Sequence, residues 1–123
     1  MTMRRRVPQT QEKIDRYGRI NGDNDIIHYD HDYAVARGFR GTLNHGMMTM
    51  GYIAGMAAEK FGRDWFFNGE IRVKWIDPVC PGDVLDIAIA GDGAVEASVA
   101  EGPVARGQVR LVRSGDADGD AQK

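Results

Sequence analysis

The sequence predicts an α+β domain: a curved antiparallel sheet wrapped around one long central helix, with a short helical segment overhanging it. Three observations carry this. Residues 46–62 form a long run in which only Glu59 and Lys60 are charged. Between residues 70 and 112, apolar and polar residues alternate in four short stretches broken by Gly, Pro and Asp, the pattern of half-buried strands joined by turns. Ahead of both lies a polar, glycine-marked segment. A sheet with one apolar face needs a cover, and the run at 46–62 is the one helical pattern long enough to supply it.

Length and charge narrow the class before any element is placed. A chain of 123 residues supports one domain, which we place at 1–113. A net charge of −2 gives no basic field for nucleic acid, and Arg4-Arg5-Arg6 at the terminus reads as a solvated arm. Cys80 is the single cysteine, which rules out an internal disulfide and a cysteine-cluster zinc site. It lies in the proline-bounded turn "DPVCPGD" and reads as structural. No apolar run is long enough for a membrane span, and no signal-peptide core opens the chain. The expected setting is the cytoplasm, with neither membrane nor nucleic acid as partner.

In chain order, "TQEKIDRYGRI" is the first element. Thr10 and Lys13 make an imperfect capping box, and Ile14, Tyr17 and Ile20 share a helical face. This helix ends near Gly18 or Gly22. A polar stretch, "GDNDIIH", follows. "DHDYAVARG" is a second short helix, with Asp30 or Asp32 at its start and Gly38 at its end. Residues 38–46 are a glycine-punctuated loop.

The long run comes next. Met47, Met50, Ala54, Ala57 and Phe61 follow helical spacing, yet Met48, Tyr52 and Met56 make the other side apolar too. Such a helix is expected to be buried nearly all round. Gly51 and Gly55 each cost about 1 kcal/mol of helix propensity relative to Ala, so a sheet or second helix is expected close against them.

The strands complete the domain. "EIRVKWI" places Ile71, Val73 and Trp75 on one face, and "PVCPGD" turns the chain. "VLDIAIA" sets Leu85, Ile87 and Ile89 in register, Gly91-Asp92-Gly93 turns again, and "AVEASVA" repeats the alternation. Gly102-Pro103 is read as the last turn before "VARGQVRLV". Short loops between successive strands imply antiparallel neighbours. A long helix followed by this meander is the hotdog arrangement. Its sheet edge needs protection, and a homodimer with a continuous sheet would provide it. The last residues, 114–123, are small and acidic and read as a disordered tail; Asp116, Asp118 and Asp120 lack the later carboxylate of a calcium loop.

Chemistry concentrates in Asp23 and His28. A loop between them can aim a carboxylate and an imidazole at one water molecule, which makes a general acid–base pair. Three bland readings stand beside this one: Asp23 as a turn former, His45 as a histidine bonded to a loop carbonyl, and His31 as a surface residue. No two histidines have the spacing of metal ligands on a helix face.

The order of these residues resembles the MaoC-like dehydratase and (R)-specific enoyl-CoA hydratase family. Its members carry Gly-Asp-x-Asn-Pro-Leu/Ile-His, then His-Gly-Met at the start of the central helix. This chain has Gly22-Asp23-Asn24-Asp25-Ile26-Ile27-His28, then His45-Gly46-Met47. Tyr17 upstream and Ala34 downstream also fit, and the likeness runs from about residue 10 to 112. It implies a lyase that hydrates a trans-2-enoyl thioester or dehydrates an (R)-3-hydroxyacyl thioester. Coenzyme A or an acyl carrier protein would carry the acyl group, and no metal or redox cofactor is needed.

By the same resemblance Asp23 and His28 activate water, while the Gly46 N–H polarises the thioester carbonyl. That role suits a helix N-terminus, with its unpaired N–H groups and positive dipole end. Tyr17, Phe39, Asn44, Met47 and Met50 are the expected substrate-binding residues. The chain departs from the family pattern at Asp25-Ile26, which replaces Asn-Pro, and at Asn44, which replaces a small apolar residue. We take Asp25 to face solvent or to cap a neighbouring N–H, and Asn44 to suit a polar acyl group. Two rival readings remain: a hotdog thioesterase that directs water at the carbonyl, and a non-catalytic acyl-binding subunit.

Overall fold

The structure, a computed structural model, describes residues 1–112. The tail expected at 114–123 lies outside the described residues. The elements run β1 (Met3–Pro8), α1 (Gln11–Asn21), a 3₁₀ turn (Ile26–His28), α2 (His31–Ala36) and α3 (Gly46–Phe61). A second 3₁₀ turn (Gly62–Asp64) and α4 (Trp65–Asn68) extend the central helix, and β2 (Gly69–Trp75), β3 (Val84–Ile89), β4 (Ala94–Val99) and β5 (Gly102–Leu111) follow.

Five strands form one antiparallel sheet in the order β1-β3-β4-β5-β2. Alternation places Leu85, Ile87 and Ile89 of β3, Val95, Ala97 and Val99 of β4, and Ala105 and Val109 of β5 on one face, and Val104 joins them from the register shift. There they form a single cluster with Ile53, Met56 and Ala57 of α3. This is the predicted hotdog arrangement of helix and sheet.

The structure corrects four sequence-based expectations. The arginine arm is a strand: β1 pairs with β3, Val7 opposite Leu85 and Arg5 opposite Ile87. An edge strand is held by backbone pairing, so it needs no apolar alternation, and charged residues suit it. The arginines are solvent-facing as expected, but Arg5 also forks onto Glu59 of α3 at 3.0 and 3.1 Å.

Secondly, the strands are not a simple meander. β2 pairs with β5 rather than β3, so residues 76–83 cross over instead of turning back. Thirdly, Gly102 and Pro103 belong to β5, opposite Val99 and Ser98, beside a register shift at Ala97/Ser98. Proline is accommodated at the start of a strand or at a bulge, where no ladder N–H is required.

Lastly, α3 is not buried all round. Met48, Thr49, Ile53, Met56 and Ala57 are inside, whereas Met47 is 58% exposed. Among the described residues, a Cβ added at Gly51 or Gly55 would meet nothing beyond its own helix within 4 Å. With both sides apolar, the sequence could not fix which side faces the sheet.

Candidate active site

The polar stretch is a chain of side-chain-to-backbone bonds. Thr10 caps α1 by accepting from the Lys13 N–H. Gly22, at φ 76°, ends the helix in the left-handed region and donates to the Gly18 carbonyl at 2.9 Å. Then Asn21 Oδ1 accepts from the Asp23 N–H, Asp23 Oδ1 from the Asp25 N–H and Asp25 Oδ1 from the Ile27 N–H, at 2.9, 3.0 and 3.0 Å. Short polar side chains favour such turns. Asp23 is therefore a turn former, as the bland reading held, but only through Oδ1. Its Oδ2 lies 3.2 Å from His28 Nε2, so one carboxylate serves both the turn and the imidazole. Asp25 is exposed, and its carboxylate caps the 3₁₀ turn.

Several residues that the sequence did not single out hold this pair in place. His28 Nδ1 bonds the Leu43 carbonyl at 2.9 Å. Gln11 Nε2 donates to the His28 carbonyl at 2.8 Å, and its Oε1 accepts from Thr42 Oγ1 at 2.6 Å. The Tyr29 hydroxyl donates to the Asp23 carbonyl. Gly18 is buried where any side chain would strike that hydroxyl. Gln11 and Thr42 are generic polar residues in sequence; only the approach of α1 to the 38–45 loop gives them a role.

His45 is the larger omission. Its Nε2 bonds the Ile14 carbonyl at 3.2 Å, a backbone carbonyl as expected, though one on α1 rather than in a loop. Its ring stacks on His28, with centroids 4.0 Å apart and planes inclined by 28°. Its Nδ1 lies 3.5 Å from Asp23 Oδ2, an ion-pair distance too long for a hydrogen bond. Asp23, His28 and His45 thus bring three possible donor atoms within 4.8 Å of one another. The stacking argues against a shared ion: ring planes this nearly parallel do not meet within metal–nitrogen reach, about 2 Å. The Asp25 N–H, followed by the neighbouring His28 and His45 rings, outweighs desolvation and holds the Asp23 carboxyl below the usual carboxylate range.

The other expected site residues divide. Gly46 opens α3, where its N–H has no acceptor within the helix. It borders a cavity of ≈ 280 Å³ shared with Leu43, Asn44, Thr49 and Trp75. Leu43, whose carbonyl holds His28, lines that cavity, whereas Asp23 and His28 do not. Asn44 is buried with its Nδ2 on Thr49 Oγ1 at 3.3 Å. Tyr17 lies beside the cluster, its ring 5.1 Å from that of His45. Phe39 instead lines a second cavity with Arg40 and Pro103. Met47 faces outward on the open side of α3, and half-buried Met50 lines neither cavity. Cys80 is buried, and burial pushes its thiol up, which keeps it unreactive.

A family model described as MaoC like domain matches residues 1–114. Among curated proteins, the peroxisomal multifunctional enzyme type 2 of Mus musculus is 32% identical over 76 residues, 61% of this chain and 10% of that protein. The chain thus spans about a tenth of that relative's length. Among solved structures, an (R)-hydratase from A. caviae involved in PHA biosynthesis gives a TM-score of 0.72 at 15% identity, covering 91% of this chain and 95% of that one. A MaoC-like dehydratase from Phytophthora capsici gives 0.74 at 23% identity, over 94% and 41% of the two chains. HtdX from Mycobacterium tuberculosis gives 0.75 at 25% identity, over 88% and 44%.

Proposed function

The chain belongs to the MaoC-like domain family, and from that premise we propose that it hydrates a trans-2-enoyl thioester and dehydrates the (R)-3-hydroxyacyl thioester. The observation that carries this reading is the Asp23 Oδ2–His28 Nε2 pair at 3.2 Å, anchored on the carbonyl of Leu43, which itself lines a largely apolar cavity bordered by the N-terminus of α3. In hydration, the water oxygen bonds to C3 while the pair takes one proton from it. The C2–C3 π electrons move toward the thioester carbonyl, and a proton delivered to C2 returns them. Negative charge on the carbonyl oxygen peaks between these events, and the Gly46 N–H at the positive helix end is suited to stabilise it. The acyl group would occupy the cavity beside Asn44 and Thr49. The carrier is coenzyme A or an acyl carrier protein, and the chemistry requires no metal or redox cofactor.

The working unit is proposed to be a homodimer. Among the described residues β2 is an edge strand, the Met47–Gly51–Gly55 side of α3 is exposed, and Phe66, Phe67 and Trp75 are exposed. A second copy, paired along β2, would cover an edge of this kind. Light scattering should give the mass of two chains; a monomer at assay concentration would refute the dimer.

The activity test uses purified protein and a short trans-2-enoyl-CoA, following the absorbance of the conjugated double bond and the release of free thiol. Loss of absorbance without thiol supports the hydratase. Thiol release would instead mark a thioesterase, and silence across a panel of chain lengths a non-catalytic subunit.

A further inference from the structure

His45 is buried beside the acid–base pair, and its tautomer is fixed by what surrounds it. A carbonyl oxygen only accepts, so the bond to Ile14 puts a proton on His45 Nε2, and the bond to Leu43 puts one on His28 Nδ1. With both rings neutral and Asp23 ionised, the inward-facing atoms are then all acceptors: His28 Nε2, His45 Nδ1 and Asp23 Oδ2. They lie 3.2 and 3.5 Å apart across the carboxylate oxygen with no hydrogen between them. One further proton can lie in only one of these two contacts.

Three places can hold that proton. Asp23 Oδ1 accepts the Asp25 N–H, which favours the ionised carboxylate. His28 is 13% exposed at its side chain, so water can reach it, whereas His45 is 3% exposed. His45 Nδ1 has no hydrogen-bond partner, so without a proton it is a buried lone pair facing a carboxylate. Stacked at 4.0 Å, the two rings would repel each other if both were cationic.

We propose that His45 is a positioning residue of this site: a proton on its buried Nδ1 holds the Asp23 carboxylate as an ion pair across 3.5 Å, which leaves His28 Nε2 as the free acceptor for the attacking water. His45 acts through Asp23 and touches neither water nor substrate. The titratable groups that face it are Asp23 from the polar loop, His28 from the 3₁₀ turn, Tyr29 just beyond it, and Tyr17 from α1. The catalytic half of this proposal rests on the hydratase reading; the proton assignment does not.

Two substitutions separate the ring nitrogens. His45→Asn places an amide N–H near the Nδ1 position, where it can donate to Asp23. His45→Gln places one near Nε2, where it can serve only Ile14. If this hold on Asp23 matters, H45N keeps kcat near wild type with a flattened pH profile, while H45Q loses about tenfold or more in kcat with little change in KM. The reverse order, or H45Q equal to wild type, would show that His45 only ties α1 in place. Nitrogen NMR of ¹⁵N-histidine-labelled wild type decides the assignment without any variant. Protons on both His45 nitrogens and on His28 Nδ1 alone support the proposal; a bare His45 Nδ1 overturns it. If wild type does not turn over enoyl-CoA, the hydratase reading falls, and the spectrum still decides where the proton sits.

Discussion

Between Gln9 and Thr49 the buried side chains include five polar ones: Gln9, Thr42, Asn44, His45 and Thr49. Beyond Thr49, the buried core is made of Ile53, Met56 and Ala57, of Val79 and of the inward residues of β3, β4 and β5. The second region is held by apolar burial, which contributes about 25 cal/mol per Å² but has no preferred direction. The first is held by hydrogen bonds, each contributing about 1 kcal/mol net yet fixing one atom against another. Acid–base chemistry needs its groups held at hydrogen-bond distances. The polar region supplies that geometry, and the sheet and helix supply the stability that lets a polar segment stay folded against them.

If this division is right, one substitution in each region should separate activity from stability. Asp23→Asn is expected to lower kcat by about 10²–10⁴-fold. The Asn carbonyl can still accept the Asp25 N–H, so the melting temperature should hardly move. Leu85→Ala is the mirror case. Leu85 is fully buried at the centre of the cluster, and truncation should cost about 2–5 kcal/mol of stability while the folded fraction keeps its kcat. Denaturant melts and rates normalised to folded protein check both. An unfolded D23N or a catalytically impaired folded L85A would break the comparison.

The two regions meet at a charged fork. Arg40, in the 38–45 loop, donates to both oxygens of Asp83 at 3.1 and 2.9 Å, and the Cys80 N–H donates to Asp83 at 2.9 Å. Burial alone would raise the Asp83 carboxyl, but the Arg40 and Cys80 hydrogen bonds outweigh it and hold the group below the usual carboxylate range. A carboxyl lowered by folding adds stability above its unfolded value, about 3.9, and loses it as pH falls through the folded value. Arg40 is 43% exposed at its side chain, so water screens part of the interaction. Asp83→Asn should therefore cost about 1–2 kcal/mol near neutrality. The difference from wild type should vanish in strong acid, and melts across a pH series would show whether it does.

The same division explains what the sequence revealed. Periodicity reports apolar burial, so α3, β3 and β4 could be read directly, as could the capped ends of α1 and α2. β1 could not be read, because only half-buried Met3 and Val7 turn inward among its arginines. Nor could the pairing of β2 with β5, because loop length speaks only for strands adjacent in the chain. Within the site, Asp23 and His28 were visible because one short motif holds both. The approach of His45 to Asp23 was not, since it depends on the Ile14 carbonyl and on how the 38–45 loop crosses α1. Asp25 was visible as a departure from the family motif, but its direction was visible only as one of two options.

That residue gives the smallest expected effect and the finest test. Asp25→Asn restores the residue that the family motif carries at this position. The asparagine oxygen can still accept the Ile27 N–H, since Asn and Asp cap almost equally well, and the Asp25 backbone N–H that holds Asp23 Oδ1 is untouched. What changes is one exposed charge, so stability should shift by no more than about 0.5 kcal/mol. kcat should stay within about twofold of wild type. Asp25→Ala, which removes the cap itself, should instead cost about 1 kcal/mol and loosen Asp23 with it. If D25N moved the acid limb of the pH–rate profile while its melting temperature stayed fixed, the charge of Asp25 would be acting on Asp23 through space. The Asp-Ile departure would then be a tuning of the catalytic carboxylate rather than a tolerated change of cap.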